Sequence, residues 1–297
     1  MMKKKISPVL FAVLFVSGVF CLMASAEVQN PRHSEHTGRA HGIEAPGVVV
    51  ELTTAPERIK AGSPTSMLFS IRNTEGKPIE KLSIHHDRIL HVIITSQDFS
   101  VFAHIHPEDF GPITQQTKRT AEFPVKYNFS KTGRYLIGVD FAVGHQLVSR
   151  HFVVDVSGGT KMGNEKRDFS WEKRFGDYKV TLSSTPQVIR AGKTVTLGYF
   201  FSKDGKPVTD LVPYLSAPMH VAMISADLNN FIHAHGEVPG ISSAGHEMGE
   251  MHMKVPAKFG PRIDVDIVFP TKGVYQIFGQ VQHNGKIILT SFMVQVE

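Results

Sequence analysis

Short runs rich in Val, Ile, Phe, Thr and Tyr follow one another along the chain: VVVEL, SMLFSIR, HVIITS, YLIGVDF and FVVDV. Each is bounded by Gly, Pro, Asn or Asp. No segment sustains the apolar spacing of an amphipathic helix. The pattern predicts an all-β protein. Seven or so short strands in a unit of roughly 110 to 130 residues suit an immunoglobulin-like β-sandwich better than a closed barrel.

The strand pattern occurs twice. VELTTAPERIKAGSPTSMLFSIRNTEGKPIEKL resembles VTLSSTPQVIRAGKTVTLGYFFSKDGKPVTDL, RILHVIITSQDFSVFAHIHP resembles APMHVAMISADLNNFIHAHG, and TGRYLIGVDFAVGHQLVSRHFVVDV resembles KGVYQIFGQVQHNGKIILTSFMVQV. Two tandem sandwiches are therefore expected, residues 47–157 and 169–297, joined by the glycine-rich, charged linker 158–168. Residues 27–46 are polar, lack apolar periodicity and carry His33, His36 and His41, and so read as a flexible arm.

The first 26 residues change the picture of location and charge. Three lysines, an apolar run and Ala24-Ser25-Ala26 have the form of a cleavable export signal, which makes the protein periplasmic or secreted; the competing reading is a retained membrane anchor. Cleavage removes Lys3, Lys4 and Lys5 from the 32 basic residues, leaving 29 against 27 acidic ones. No basic block with interleaved aromatics remains, which argues against nucleic acid as a partner. The single cysteine, Cys21, lies within the signal, so a disulfide framework, a thiolate zinc site, thiol catalysis and a blue-copper centre are excluded from the mature chain.

Sixteen histidines, all after the signal, carry the candidate chemistry. In HVIITSQDFSVFAHIH two β-prone runs flank Gln97-Asp98. A two-residue turn there sets His91 opposite His104, with His106 as the diagonal neighbour, and strand alternation puts all three imidazoles on one face. The second copy places His220, His233 and His235 in the same way around Ala226-Asp227. Cβ atoms so spaced can bring three ring nitrogens to one ion, so each sandwich is expected to hold one metal trio. Register matters, because a slip of one residue sends His91 to the opposite face. Asp98 and Asp227 read as turn residues, and Phe102 and Phe231 as packing residues.

The second copy has an insertion: His106 to Tyr135 spans 29 positions, whereas His235 to Tyr275 spans 40. Within it stand His246, Met248, Met251, His252 and Met253, with Met219 beside His220 elsewhere. Thioethers favour Cu(I) and imidazoles accept Cu(II), Zn(II) or Ni(II), so this set points to copper, with zinc as the other candidate ion. His85 and His86 are expected at the surface, and His145 and His283 near hairpin turns.

The two patterns, His91 with Ser96-Gln-Asp98-Phe99-Ser-Val-Phe102-Ala-His104-Ile-His106, and His220 with Ser225-Ala-Asp227-Leu228-Asn-Asn-Phe231-Ile-His233-Ala-His235, resemble a family of exported bacterial β-sandwich proteins. More broadly the chain is similar to YtkA-like and CopC-like periplasmic domains. The resemblance implies an immunoglobulin-like fold and a setting in copper handling. CopC-type domains and histidine-brace oxygenases use an amino-terminal histidine. Cleavage after Ala26 exposes Glu27 instead, leaving those ligand sets unmatched and removing the oxygenase reading for that processing site. The expected function is non-enzymatic metal binding for buffering, delivery or resistance, serving a copper exporter, efflux adaptor or cuproenzyme. A copper- or zinc-dependent enzyme and a metal-free structural or interaction module are the competing classes.

Overall fold

A computed structural model describes residues 46–163, 167–241 and 255–297. These lie within one compact unit, His36–Glu297. The first module contains β1 (Val48–Ala55), β2 (Pro64–Asn73), β3 (Leu82–Ser83), β4 (His91–Ser96), β5 (Phe102–Ile105), β6 (Glu122–Asn128), β7 (Gly133–Val143) and β8 (Gln146–Val156). A short helix, α1 (Gln115–Thr120), precedes β6. The second module contains β9 (Glu172–Phe175), β10 (Tyr178–Thr185), β11 (Thr194–Lys203), β12 (Lys206–Pro207), β13 (His220–Ser225), β14 (Phe231–His235), β15 (Arg262–Val268), β16 (Gly273–His283) and β17 (Lys286–Val296). Among the described residues no helix is long and apolar enough to cross a membrane.

Each module is an antiparallel immunoglobulin-like sandwich. In the first, the sheet β1-β2-β6 faces a sheet in which β5, β4, β7 and β8 pair in that order. In the second, β9-β10-β11-β15 faces β14-β13-β16-β17. Between the sheets of the first module lie Phe69, Phe123, Val92, Ile94, Ile137 and Phe141; in the second, Leu197, Phe201, Val221, Met223, Ile277 and Phe292 take their place. The two copies also share a tyrosine corner: the Tyr135 hydroxyl donates to the Lys131 carbonyl at 3.1 Å, and the Tyr275 hydroxyl to that of Thr271 at 3.1 Å.

Strand β1 alternates half-buried and exposed residues, as expected where one face meets solvent, whereas every residue of β4 and of β13 is buried. Two covered faces account for the near-continuous apolar runs HVIITS and HVAMIS. Val92, Ile94, Val221 and Met223 point into their own sandwich cores. Ile93, Leu136, Ala222, Ile224, Leu228, Phe231 and Phe278 instead form a third cluster that draws on both modules. The outer faces of the two histidine-bearing sheets are thus packed on each other. Phe102 stacks on Phe278 with ring centroids 4.3 Å apart. Gly138 is required beneath Phe231, since a Cβ there would stand 2.5 Å from the ring. The expected packing role of Phe102 and Phe231 is thereby located at the junction between the modules.

Phe231→Ala should cost about 3 kcal/mol in equilibrium denaturation, the usual range for emptying a buried aromatic site. A loss under about 1 kcal/mol would show that the modules do not dock through this cluster.

Candidate metal centre

The histidine face is set by register, and the register differs from the expected one. In the first module Ile93, not His91, stands opposite His104, and Thr95 opposite Phe102. In the second, His220 pairs with His235 and Ala222 with His233. The two-residue turn at Gln97-Asp98 is corrected to a four-residue loop. Ser96 N–H bonds the Val101 carbonyl at 3.2 Å, and Phe99, at φ 59°, lies in the left-handed region, as does Leu228 at φ 63°. The reason is side-chain chemistry: Asp98 accepts from the Ser96 hydroxyl at 2.6 Å and from the Ser100 N–H at 3.2 Å, and this bonding closes a wider loop. The displacement is two residues, an even number, so the histidines keep their common face.

That face lies at the junction between the modules. His91 Nδ1, His104 Nε2 and His106 Nε2 converge in a triangle with edges of 3.0, 3.1 and 3.2 Å. Each ring's other nitrogen has an acceptor. His91 Nε2–H donates to the His85 carbonyl at 3.0 Å, His104 Nδ1–H to Gln280 Oε1 at 2.8 Å, and His106 Nδ1–H to Asp109 Oδ2 at 3.2 Å. Those bonds fix the tautomers and leave three lone pairs facing one another with no proton between them. A tetrahedral ion at a metal–nitrogen distance of about 2.0–2.1 Å holds its ligand nitrogens about 3.3 Å apart, close to the edges seen here.

The second trio is brought to the same place. His220 Nε2–H donates to the Tyr214 carbonyl at 3.1 Å, His233 Nδ1–H donates to Asp140 Oδ2 at 3.2 Å, and His220 Nδ1 lies 3.4 Å from His233 Nε2. The two trios are not set apart, one per sandwich, but adjoin at the junction. The ring of His91 lies 5.2 Å from that of His233, and the ring of His104 5.4 Å from that of His220. One nitrogen from each of His91, His104, His220 and His233 lies within 4.8 Å of the others, and the same holds for His85, His86 and His235. His85 and His86 are therefore corrected from surface positions to half-buried members of the cluster, because the second module covers the turn that carries them. His145 is an exposed turn residue. His283 is buried and bonded to Tyr178 and Asp210. His246, Met248, Met251, His252 and Met253 lie outside the described residues.

Sequence reasoning missed Asp140, Gln280 and Asp109. Asp140 and Gln280 occupy matching places in β7 and β16, opposite His91 and His220. Each reaches across to the central histidine of the other module. The available signal was a polar residue in the middle of each apolar run, YLIGVDF and YQIFGQV. Burial pushes the Asp140 carboxyl up, against the pull of the neighbouring imidazoles and of the Ser149 hydroxyl that donates to it at 2.7 Å.

Burial first, and neighbouring charges second, hold the imidazoles down: His86, His104 and His233 to about 3, and His91, His106, His220 and His235 well below their ordinary value. Such rings are neutral, deprotonated donors at neutral pH, the state a metal requires.

A family profile matches the chain twice, over residues 44–158 and 173–297. The chain belongs to the family described as "Domain of unknown function (DUF8832)". No curated protein matches it. Among solved structures, the DUF8832 pair is similar to the Escherichia coli adhesin FdeC, at 14% identity over 84% of this chain and 64% of that one, with a TM-score of 0.23. It is also similar to invasin, a bacterial integrin-binding protein, at 12% identity over 82% and 39%, TM-score 0.21. Domains 4 and 5 of the S-layer protein SbsC match at 10% identity over 85% and 99%, TM-score 0.23. The chain thus spans about 64% of the adhesin chain and 39% of the invasin chain it matches.

The folded-state shifts give a pH prediction for metal-free protein. On unfolding, each buried histidine returns to about 6.5, so between about 3 and 6.5 the unfolded chain binds more protons. Stability therefore rises with pH across that window. The thermal midpoint should be flat above about pH 7 and fall steadily from about 6.5 towards 4. Equal midpoints at pH 4.5 and 7.5 would contradict a buried neutral cluster.

Proposed function

We propose that this DUF8832 protein is an exported, non-enzymatic metal-binding protein whose cargo is copper, with zinc as the next candidate, acting in buffering, delivery or resistance. The observation that carries it is the triangle of bare imidazole nitrogens of His91, His104 and His106, each ring tied at its far side to an acceptor. Buried acceptors that face only acceptors are costly, and a cation removes the cost. An all-imidazole site suits copper, zinc or nickel, and among divalent ions the general affinity order puts copper first. The reading agrees with the chain's broad resemblance to YtkA-like and CopC-like domains and with the signal-like residues 1–26. It makes an envelope exporter, efflux adaptor or cuproenzyme the expected recipient. His246, Met248, Met251, His252 and Met253 supply a place where Cu(I) is taken up or passed on.

A second reading, a tandem interaction module without metal, goes with the β-sandwich architecture shared with adhesin and invasin chains. The same measurement separates the two.

Protein purified without an affinity tag and titrated with Cu(II) should bind tightly at neutral pH and release metal only well below the ordinary imidazole value of about 6.5, since burial holds His104 and His233 to about 3. His104→Ala with His106→Ala should remove one ion per chain, and retention of every ion would show that the triangle is not the site; a wild-type chain that binds no ion would leave the interaction module as the better reading. Gln280→Leu, which touches no metal but frees His104 Nδ1, should weaken the same ion about 10- to 100-fold, as loss of an orienting partner does.

A further inference from the structure

His85 and His86 take no part in the triangle, and His235, whose ring lies 4.7 Å from that of His220 and 4.8 Å from that of His233, bonds neither through Nε2. His85 Nδ1 and His235 Nε2 are buried and have no hydrogen-bond partner. A buried ring nitrogen left without a partner is uncommon and costly. The rings nonetheless gather: His86 lies 3.7 Å from His235 between centroids, His85 4.2 Å from His86, and His85 5.3 Å from His235.

We infer that His85 and His86 of the first module and His235 of the second hold a second transition-metal ion beside the first, making the junction a binuclear centre. The inference rests on the reading that the neighbouring triangle binds metal. The turn that carries the pair is not built for histidine. His86 and Asp87 have φ of 48° and 62°, and the matched residues of the other copy, Leu215 and Ser216, have 47° and 56°. One backbone bend thus serves both modules, with His85-His86 in one and Tyr214-Leu215 in the other. Packing alone is met by Tyr-Leu; two imidazoles in the same place add donors. The two positions are also joined. The His85 carbonyl accepts from His91 Nε2–H at 3.0 Å, so the residue that offers a ring to the second ion orients a ligand of the first. Ser216 donates to Asp87 Oδ2 at 2.7 Å, holding the turn on the second module.

The test uses the full chain, Cu(II) equilibrium dialysis with metal analysis, and electron paramagnetic resonance. His85→Tyr with His86→Leu installs the residues the other copy already accommodates on the same bend. This variant should bind one Cu(II) fewer than wild type, keep its circular dichroism, and replace a spin-coupled signal by that of an isolated ion. His235→Gln should do the same and covers the case in which the loop variant fails to fold. Wild-type counts and spectra in both would overturn the second position. Retention of all metal by the His104→Ala, His106→Ala chain would instead overturn the triangle, an outcome the loop variant does not produce.

Discussion

His91 Nδ1, His104 Nε2 and His106 Nε2 meet within 3.2 Å of one another, each on a ring whose only proton is committed elsewhere. Such an arrangement requires two things at once. The acceptors that take the outer protons must be fixed, and water must be kept from the inner lone pairs. The His85 carbonyl and Asp109 of the first module supply two of those acceptors, and the second module contributes the third, Gln280 to His104, and covers the outer face of β4 and β5. The docking of the two sandwiches is therefore a condition of the site as well as its frame. The same junction that buries Ile93, Phe231 and Phe278 lowers the proton affinity of the imidazoles beside them.

Duplication explains the frame and divergence explains the chemistry. Both copies put a histidine at the start of β4 or β13, tie its Nε2 to a carbonyl six residues earlier, and send an acceptor from β7 or β16 across to the other copy. This is the self-complementary contact of a two-fold dimer, realised within one chain. The copies then differ where charge matters: Asp140 against Gln280, and His85-His86 against Tyr214-Leu215. A carboxylate on one side only, and extra imidazoles on the same side, make the junction chemically lopsided on a nearly symmetric backbone.

Much of this was legible in the chain. Period-two runs and turn residues specify strands because side chains alternate on a pleat, and the internal repeat specifies two modules. The shared face of His104 and His106 follows from their spacing alone, and it survived a wrong pairing because the loop at Asp98 shifts the partner by an even number of residues. Loop length itself was not legible, since it depends on how the Asp98 carboxylate bonds its neighbours. Nor was the role of Asp140 or Gln280, which lie far from the histidine pattern and act across the junction.

The sequence by itself determined the strands, the duplication, and which imidazoles share a sheet face, because these follow from local backbone geometry. Only the tertiary structure decided that the face is covered by the other copy rather than by water. Periodicity reports that a residue is off its own core, and burial between modules depends on contacts between segments more than a hundred positions apart, such as His104 with Gln280. Six histidines in two patterns, with His85 and His86 from a turn that looked exposed, thereby gather at one junction.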